Sequence, residues 1–292
     1  MSIDRLQEKI RKYKNPSVVN FDVMPEHIPN RLLREEGSFL RGYGRFCMET
    51  MDALRSVVPA VRFSFSALAL YGTDGLCTLA RLLDYARKLG FYIFLDIPDA
   101  LSAQRAEANA REVFKEGSLW ICDGLILSSY IGSDGIKPYA QRVAGADKDL
   151  FIVVRSANKS AAELQDLITG SRHSHQAQAD TASRLGKPMI GKTGYSKIAA
   201  IGPATSASIL SSLRAKYPHI FLFVDGYDYA NANAKICSSA FDQFGHGAIV
   251  CASDSVFAEW CQEEQDNEDF AALAVRAAER MKKNLTKYVT IL

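Results

Sequence analysis

Short runs of consecutive apolar residues recur eight times along this chain, with a helical pattern between each run and the next. They fall at 17–22, 60–65, 91–96, 124–128, 150–155, 198–201, 220–225 and 248–251. Most are apolar at successive positions, which suits parallel strands covered on both faces. Regular βα alternation over roughly 250 residues is what one (β/α)8 barrel requires. The expected fold is therefore α/β, a single TIM barrel covering 1–292 with an N-terminal and a C-terminal helix. No Gly/Ser- or Pro-rich linker divides the chain. A doubly wound open sheet is the alternative, but no GxGxxG follows the first strand.

The helical segments follow from the same pattern. Ile3, Leu6 and Ile10 share one stripe of an opening helix, which Asn15-Pro16 breaks. A long helical region, 32–56, is expected to be interrupted near Gly42 and Gly44. Helices are also expected at 72–89, closed by Gly90, and at 101–114, 161–170, 174–185, 204–217 and 270–285.

Phe91-Tyr-Ile-Phe-Leu-Asp96 has the strongest bearing on chemistry. Five apolar residues end in a carboxylate, where a barrel gathers its catalytic groups. The plainer account is that Asp96 caps the helix beginning near Leu101. Asp22 and Arg62 also lie at strand ends, so Asp22, Arg62 and Asp96 would converge on one mouth. They would form either a polar network open to a neutral or cationic ligand, or a self-satisfied ion cluster.

Other motifs carry less. His173 and His175 form an HxH pair near Asp180, but no third or fourth metal ligand follows at a usable spacing, so no metal is expected. His246 sits between two glycines as a turn residue. Gly191-Lys-Thr-Gly194 lacks the upstream glycine of a phosphate loop and reads as a lid or surface loop. No nucleophile elbow surrounds any serine or cysteine.

The bulk composition narrows the function classes. Net charge is +2, from 35 basic and 33 acidic residues, which leaves no electrostatic footprint for nucleic acid. Cys47, Cys77, Cys122, Cys237, Cys251 and Cys261 are scattered without a CxxC, as reduced and mostly packed thiols of a cytoplasmic protein would be. The first 14 residues are charged and helical in pattern, unlike a signal peptide. No apolar run approaches the ~20 residues of a membrane span.

Several segments, in order and spacing, resemble orotidine 5′-phosphate decarboxylases, in particular the longer bacterial branch. They are Asp4-Arg-Leu6, Asn15-Pro16, Val58-Pro-Ala-Val-Arg62, Tyr71-Gly72 and Tyr130-Ile-Gly-Ser-Asp-Gly-Ile-Lys-Pro-Tyr139. Further along come Leu150-Phe-Ile-Val-Val-Arg-Ser-Ala-Asn158 with Leu164-Gln-Asp166, then Val224-Asp-Gly-Tyr227 and Gly247-Ala-Ile-Val250. The resemblance implies a barrel that converts orotidine 5′-phosphate to uridine 5′-phosphate in pyrimidine biosynthesis without a cofactor. It also implies dimerisation through the mouth, each subunit contributing to its partner's site. The ligand-binding positions it implies are Asp22, Ser128, Ser156, Asn158, Thr205, Gly226 and Tyr227, beside a catalytic network around Arg62 and Asp96.

The family's chemistry needs a lysine ammonium to stabilise a developing carbanion and then protonate it. Its DxKxxD motif aligns with Asp96-Ile-Pro-Asp-Ala-Leu101, so the lysine is Pro98 and the second acid is Leu101. The family's earlier lysine is Arg62, whose proton is much harder to remove. In the base-recognition region an Asn-Pro pair becomes Ser128-Ser129, and Pro203 replaces a glycine before Ala204 and Thr205. The phosphate loop carries Asp225 and Asp228 in place of neutral residues, and the phosphate-binding arginine aligns with Asp254. At ~4 Å and an effective dielectric of ~20, each like-charge pair costs about 4 kcal/mol. Micromolar affinity is worth about 8 kcal/mol.

The expected function is thus a catalytically degenerate decarboxylase homologue, a pseudoenzyme with an interaction or regulatory role, paired with itself or with an active paralogue. The alternatives are an active decarboxylase with relocated residues, such as Lys159 or Lys192, or a lyase or isomerase acting on a non-phosphorylated substrate. A plain small-molecule or nucleotide binder is a third possibility.

Overall fold

A computed structural model describes residues 1–98, 100–258 and 269–292. Asp99 and Cys261 lie outside the described residues. Eight parallel strands close into a barrel: β1 (Ser17–Asn20), β2 (Ala60–Ser64), β3 (Tyr92–Asp96), β4 (Gly124–Ser128), β5 (Asp149–Val153), β6 (Ile198–Pro203), β7 (Leu222–Asp225) and β8 (Ala248–Ala252). Each strand pairs with its sequence neighbour, and β1 pairs with β8 to close the ring. This is the expected TIM barrel.

The barrel interior is filled in layers by alternate strand residues, as in other packed (β/α)8 cores. Tyr92, Phe94 and Asp96 share a face because side chains alternate along a strand. At the lower level the Tyr92 hydroxyl donates to Asp149 Oδ2 at 2.7 Å. Above it the rings of Phe94, Phe151 and Phe223 meet edge-on at 4.9 to 6.1 Å. Asp96 and Arg62 lie above that aromatic floor, with the Arg62 guanidinium 5.8 Å from the Phe223 ring centre.

The opening helix, α1 (Ser2–Tyr13), covers the N-terminal ends of the strands. Its apolar stripe, Ile3, Leu6 and Ile10, is fully buried. Arg5 binds Asp123 and Asp147, which precede β4 and β5. Asp4 accepts hydrogen bonds from the Thr193 N–H and hydroxyl at 2.8 and 2.7 Å. The segment Gly191–Gly194 is therefore pinned beneath the barrel and is no lid over the mouth.

Three helical expectations need correction. The region at 32–56 is two helices, α2 (Asn30–Glu36) and α3 (Phe39–Leu54). The break falls at Gly37, with φ +65°, and Ser38 caps α3. Gly42 and Gly44 lie inside α3; a Cβ on Gly42 would come within 2.9 Å of Leu33, so glycine there permits close packing on α2. After β5 the helix ends at Gln165, and a small hairpin, Ile168–Thr169 with Arg172–His173, follows. Between β2 and β3 lie α4 (Phe65–Ala69) and α5 (Gly72–Lys88); beyond β3, α6 (Ala103–Phe114) is capped by Ser102, not Asp96.

Among the described residues no helix is long and apolar enough to cross a membrane. Four of the five described cysteines are buried, Cys77 is exposed, and all five are free thiols.

Candidate active site at the barrel mouth

Arg62 is the centre of the mouth. It points inward from β2, two residues before Ser64 on the same face. Its Nη2 donates to Asp96 Oδ2 at 3.0 Å and its Nη1 to Asp225 Oδ1 at 3.2 Å. The second oxygen of Asp96 accepts from the Ser64 hydroxyl at 2.8 Å. Arg62 Nε is buried without a hydrogen-bond partner. Burial disfavours the charged guanidinium, but Asp225, Cys251 and Asp96 outweigh it and raise the Arg62 pKa. Burial likewise pushes the neighbouring Cys251 thiol far up, with Asp225 adding to the effect.

Asp22 stands two residues beyond β1 on the rim, hydrogen-bonded through its backbone N–H to Asn20. Crowding by protein atoms raises its pKa, Asp96 and Asp254 raise it further, and Arg62 opposes them. The structure thus brings Arg62 and Asp96 into contact and leaves Asp22 nearby but unbonded to either. It adds Ser64 and Asp225 to the network. Ser64 had a local signal, the two-residue spacing from Arg62. Asp225 ends the strand expected at 220–225, but its pairing with Arg62, 163 positions away, had no local signal.

A cavity of about 470 Å³ opens on the β7–β8 side of the mouth. Its charged lining residues are Arg62, Asp225, Asp228 and Asp254. Asp228 accepts from the backbone N–H of Ser253 at 2.7 Å and of Ser255 at 2.9 Å. Asp254 Oδ1 lies 3.7 Å from His27 Nδ1. The Ser253 hydroxyl donates to the Asn20 carbonyl at 3.0 Å, tying β8 to β1.

The remaining candidate positions divide. Gly226 lines the cavity with φ +85°, and a Cβ there would sit 2.3 Å from that of Ala157, so the loop after β7 presses on the loop after β5. Thr205 closes the same side, its hydroxyl 3.4 Å from the Ala157 carbonyl. The Ser156 hydroxyl donates to Asn158 Oδ1 at 2.7 Å, and the Ser156 N–H donates to Gln165. Beneath them Arg155 is bidentate to Asp166. Ser128 Oγ accepts from the Tyr130 N–H and organises the turn after β4. Tyr227 lies apart from these: it lines a different cleft, with Asn233, Asn284 and Lys287, while Tyr229 lines the mouth.

Pro98 lies beside Ile97, Phe65 and Trp120 in a separate apolar pocket, and Leu101 is exposed. Among the described residues, no lysine lines the mouth cavity. Lys159 is exposed in the loop after β5, and Lys192 lies in the segment beneath the barrel. His173 and His175 stack with ring centres 5.3 Å apart, and their Nδ1 atoms pair with the carbonyls of Asp166 and Gln165. His173 caps the helix Ser174–Gly186, as a helix-entry residue. No metal-binding cluster of three or more His, Cys, Asp or Glu occurs among the described residues.

No family model matches the chain. It is related over nearly its whole length to bacterial proteins named orotidine 5′-phosphate decarboxylase. The Clostridium acetobutylicum protein is 28% identical over 288 residues, covering 98% of this chain and 99% of that protein. Solved structures share the fold. Leishmania donovani OMP decarboxylase superposes with a TM-score of 0.74 at 20% identity, covering 97% of this chain and 98% of that one. Plasmodium berghei orotidine 5′-monophosphate decarboxylase gives 0.80 at 11% identity, covering 99% of each. The resemblance read from the motifs is borne out.

Proposed function

We propose that this chain is a decarboxylase homologue that no longer decarboxylates, and that it works as a pseudoenzyme paired with a second copy or with an active paralogue. The observation that carries this is the state of Arg62, the cation lining the mouth cavity, whose two terminal nitrogens are both bound to carboxylates. Cleaving a carbon–carboxylate bond leaves an electron pair on carbon, which must be stabilised and then protonated. A guanidinium held between two acids keeps its proton at neutral pH. Asp225, Asp228 and Asp254 would also repel the substrate's carboxylate and phosphate.

Pairing across the mouth is supported by exposed apolar side chains. Leu70, Leu101 and Tyr130 are 88%, 85% and 79% exposed, in the loops that follow the adjacent strands β2, β3 and β4. Such side chains gain by being covered.

The test is carbon dioxide release from orotidine 5′-phosphate by the purified chain. Release no faster than the uncatalysed background is expected; turnover at a rate ordinary for enzymes overturns the proposal. A second reading is acid–base chemistry, as a lyase or isomerase, on a non-phosphorylated substrate. The raised pKa of Asp22 at the rim favours it. An active decarboxylase with relocated residues, such as Lys159 or Lys192, is the remaining alternative; turnover that depends on the exposed Lys159 should be lost in Lys159→Ala.

A further inference from the structure

We propose that Asp228 stands in for a ligand's phosphate, and that this one side chain restricts the mouth to ligands without one. The step rests on reading the mouth as a ligand site. In (β/α)8 barrels, phosphates commonly bind where the loops after the seventh and eighth strands meet, on free backbone N–H groups. Here two such donors follow β8: the amide of Ser253, which lines the cavity, and that of Ser255 in the short helix Asp254–Phe257, which borders it. Both already point at one carboxylate, with Asp228 Oδ2 2.7 Å from the first and Oδ1 2.9 Å from the second. Each oxygen takes one donor, as two phosphate oxygens would. Asp228 arrives from the loop after β7, 25 residues earlier, so the chain carries its own anion to these donors.

Three consequences follow. The amides are satisfied without any ligand, so a phosphate gains nothing from them until Asp228 withdraws. An incoming dianion also meets the Asp228 charge, with Asp225 and Asp254 beside it. A nucleoside or another neutral or cationic molecule escapes both penalties. Asp228 thereby acts as a specificity-determining residue.

The experiment titrates the full chain with uridine and uridine 5′-phosphate, read by calorimetry and by the amide resonances of Ser253 and Ser255. The wild type should bind the nucleotide no more tightly than the nucleoside, and the two amides should not respond to inorganic phosphate. Asp228→Gly should favour the nucleotide by about tenfold or more over the wild-type ratio, the worth of two charge-assisted contacts. Asp228→Asn, which keeps the shape and one acceptor, should fall between. A wild type that prefers the nucleotide tenfold, with shifted Ser253 and Ser255 amides, overturns the inference even if the glycine variant fails to fold. An unchanged ratio in both folded variants also overturns it. Neither result bears on carbon dioxide release, so loss of this inference is distinguishable from loss of the proposed function.

Discussion

At the scale of single residues, the mouth is governed by charges that satisfy one another. Arg62 spans Asp96 and Asp225, its side chain 16% exposed and theirs 20% and 35%. Removing the cation would leave two partly buried carboxylates facing each other. Arg62→Met should therefore lower unfolding stability by roughly 2–3 kcal/mol, below the value for a fully buried pair because solvent reaches the acids. Arg62→Lys should recover little, since a single ammonium does not reproduce the planar fork that reaches both partners. Urea unfolding decides this: an unchanged midpoint in Arg62→Met would show that the network carries no stability. Asp96 was legible as a strand-end charge and Arg62 as a charge within an otherwise apolar strand. Whether Asp96 capped a helix or joined Arg62 was not, because a carboxylate can serve either partner and sequence spacing permits both.

At the scale of elements, the caps show how local chemistry sets boundaries. Ser102 accepts from the Arg105 N–H at 3.2 Å at the start of α6, so Ser102→Ala should cost about 1 kcal/mol. Asp96→Asn should leave that helix intact while loosening Arg62. Thermal melts of the two variants, with helix content followed by circular dichroism, separate these roles. Local signals were sufficient where a strand was short and uniformly apolar, as at Gly124–Ser128. They failed after β5, where the four-residue helix and hairpin depend on Arg155 gathering Asp166 and the Asn158 carbonyl. They failed again at Gly42, whose place inside α3 reflects contact with Leu33 on another helix.

At the scale of the whole molecule, the two ends of the barrel answer differently to pH and to partners. Beneath the aromatic floor, burial pushes the Asp149 pKa up to about 7 from 3.8, against the hydrogen bond from Tyr92 and the weaker pull of Lys197. A raised carboxylate pKa means the folded state holds a proton that the unfolded state has released. Stability from this group is therefore full below the unfolded value and is lost as pH rises from about 4 to about 7. Three units correspond to roughly 4 kcal/mol. Asp4, Asp166, Asp180 and Asp242 are shifted downward, so their contribution disappears instead as pH falls below the unfolded value. The wild type minus Asp149→Asn difference, from urea unfolding at pH 5 and pH 8, isolates the first effect. The variant should gain relative to wild type at pH 8, and parallel curves would refute the shift. At the other end, Leu101→Asp places a charge among exposed apolar loops. If the chain pairs with itself across the mouth as proposed, the change should weaken that association by about tenfold or more in sedimentation, the scale of one buried leucine's transfer.

The sequence by itself determined the alternation of strand and helix, the closed parallel barrel and the absence of a lysine at position 98. Each of these is written in neighbouring residues, whose apolar runs and side-chain types act over one turn or one strand. The tertiary structure alone decided which charges pair. Barrel closure sets Asp225 against an arginine 163 positions away and Asp149 against a tyrosine 57 positions away. It also folds Asp228 onto two amides that follow β8. A carboxylate's partner depends on which groups come within about 3 Å in space, and separation along the chain carries no such distance.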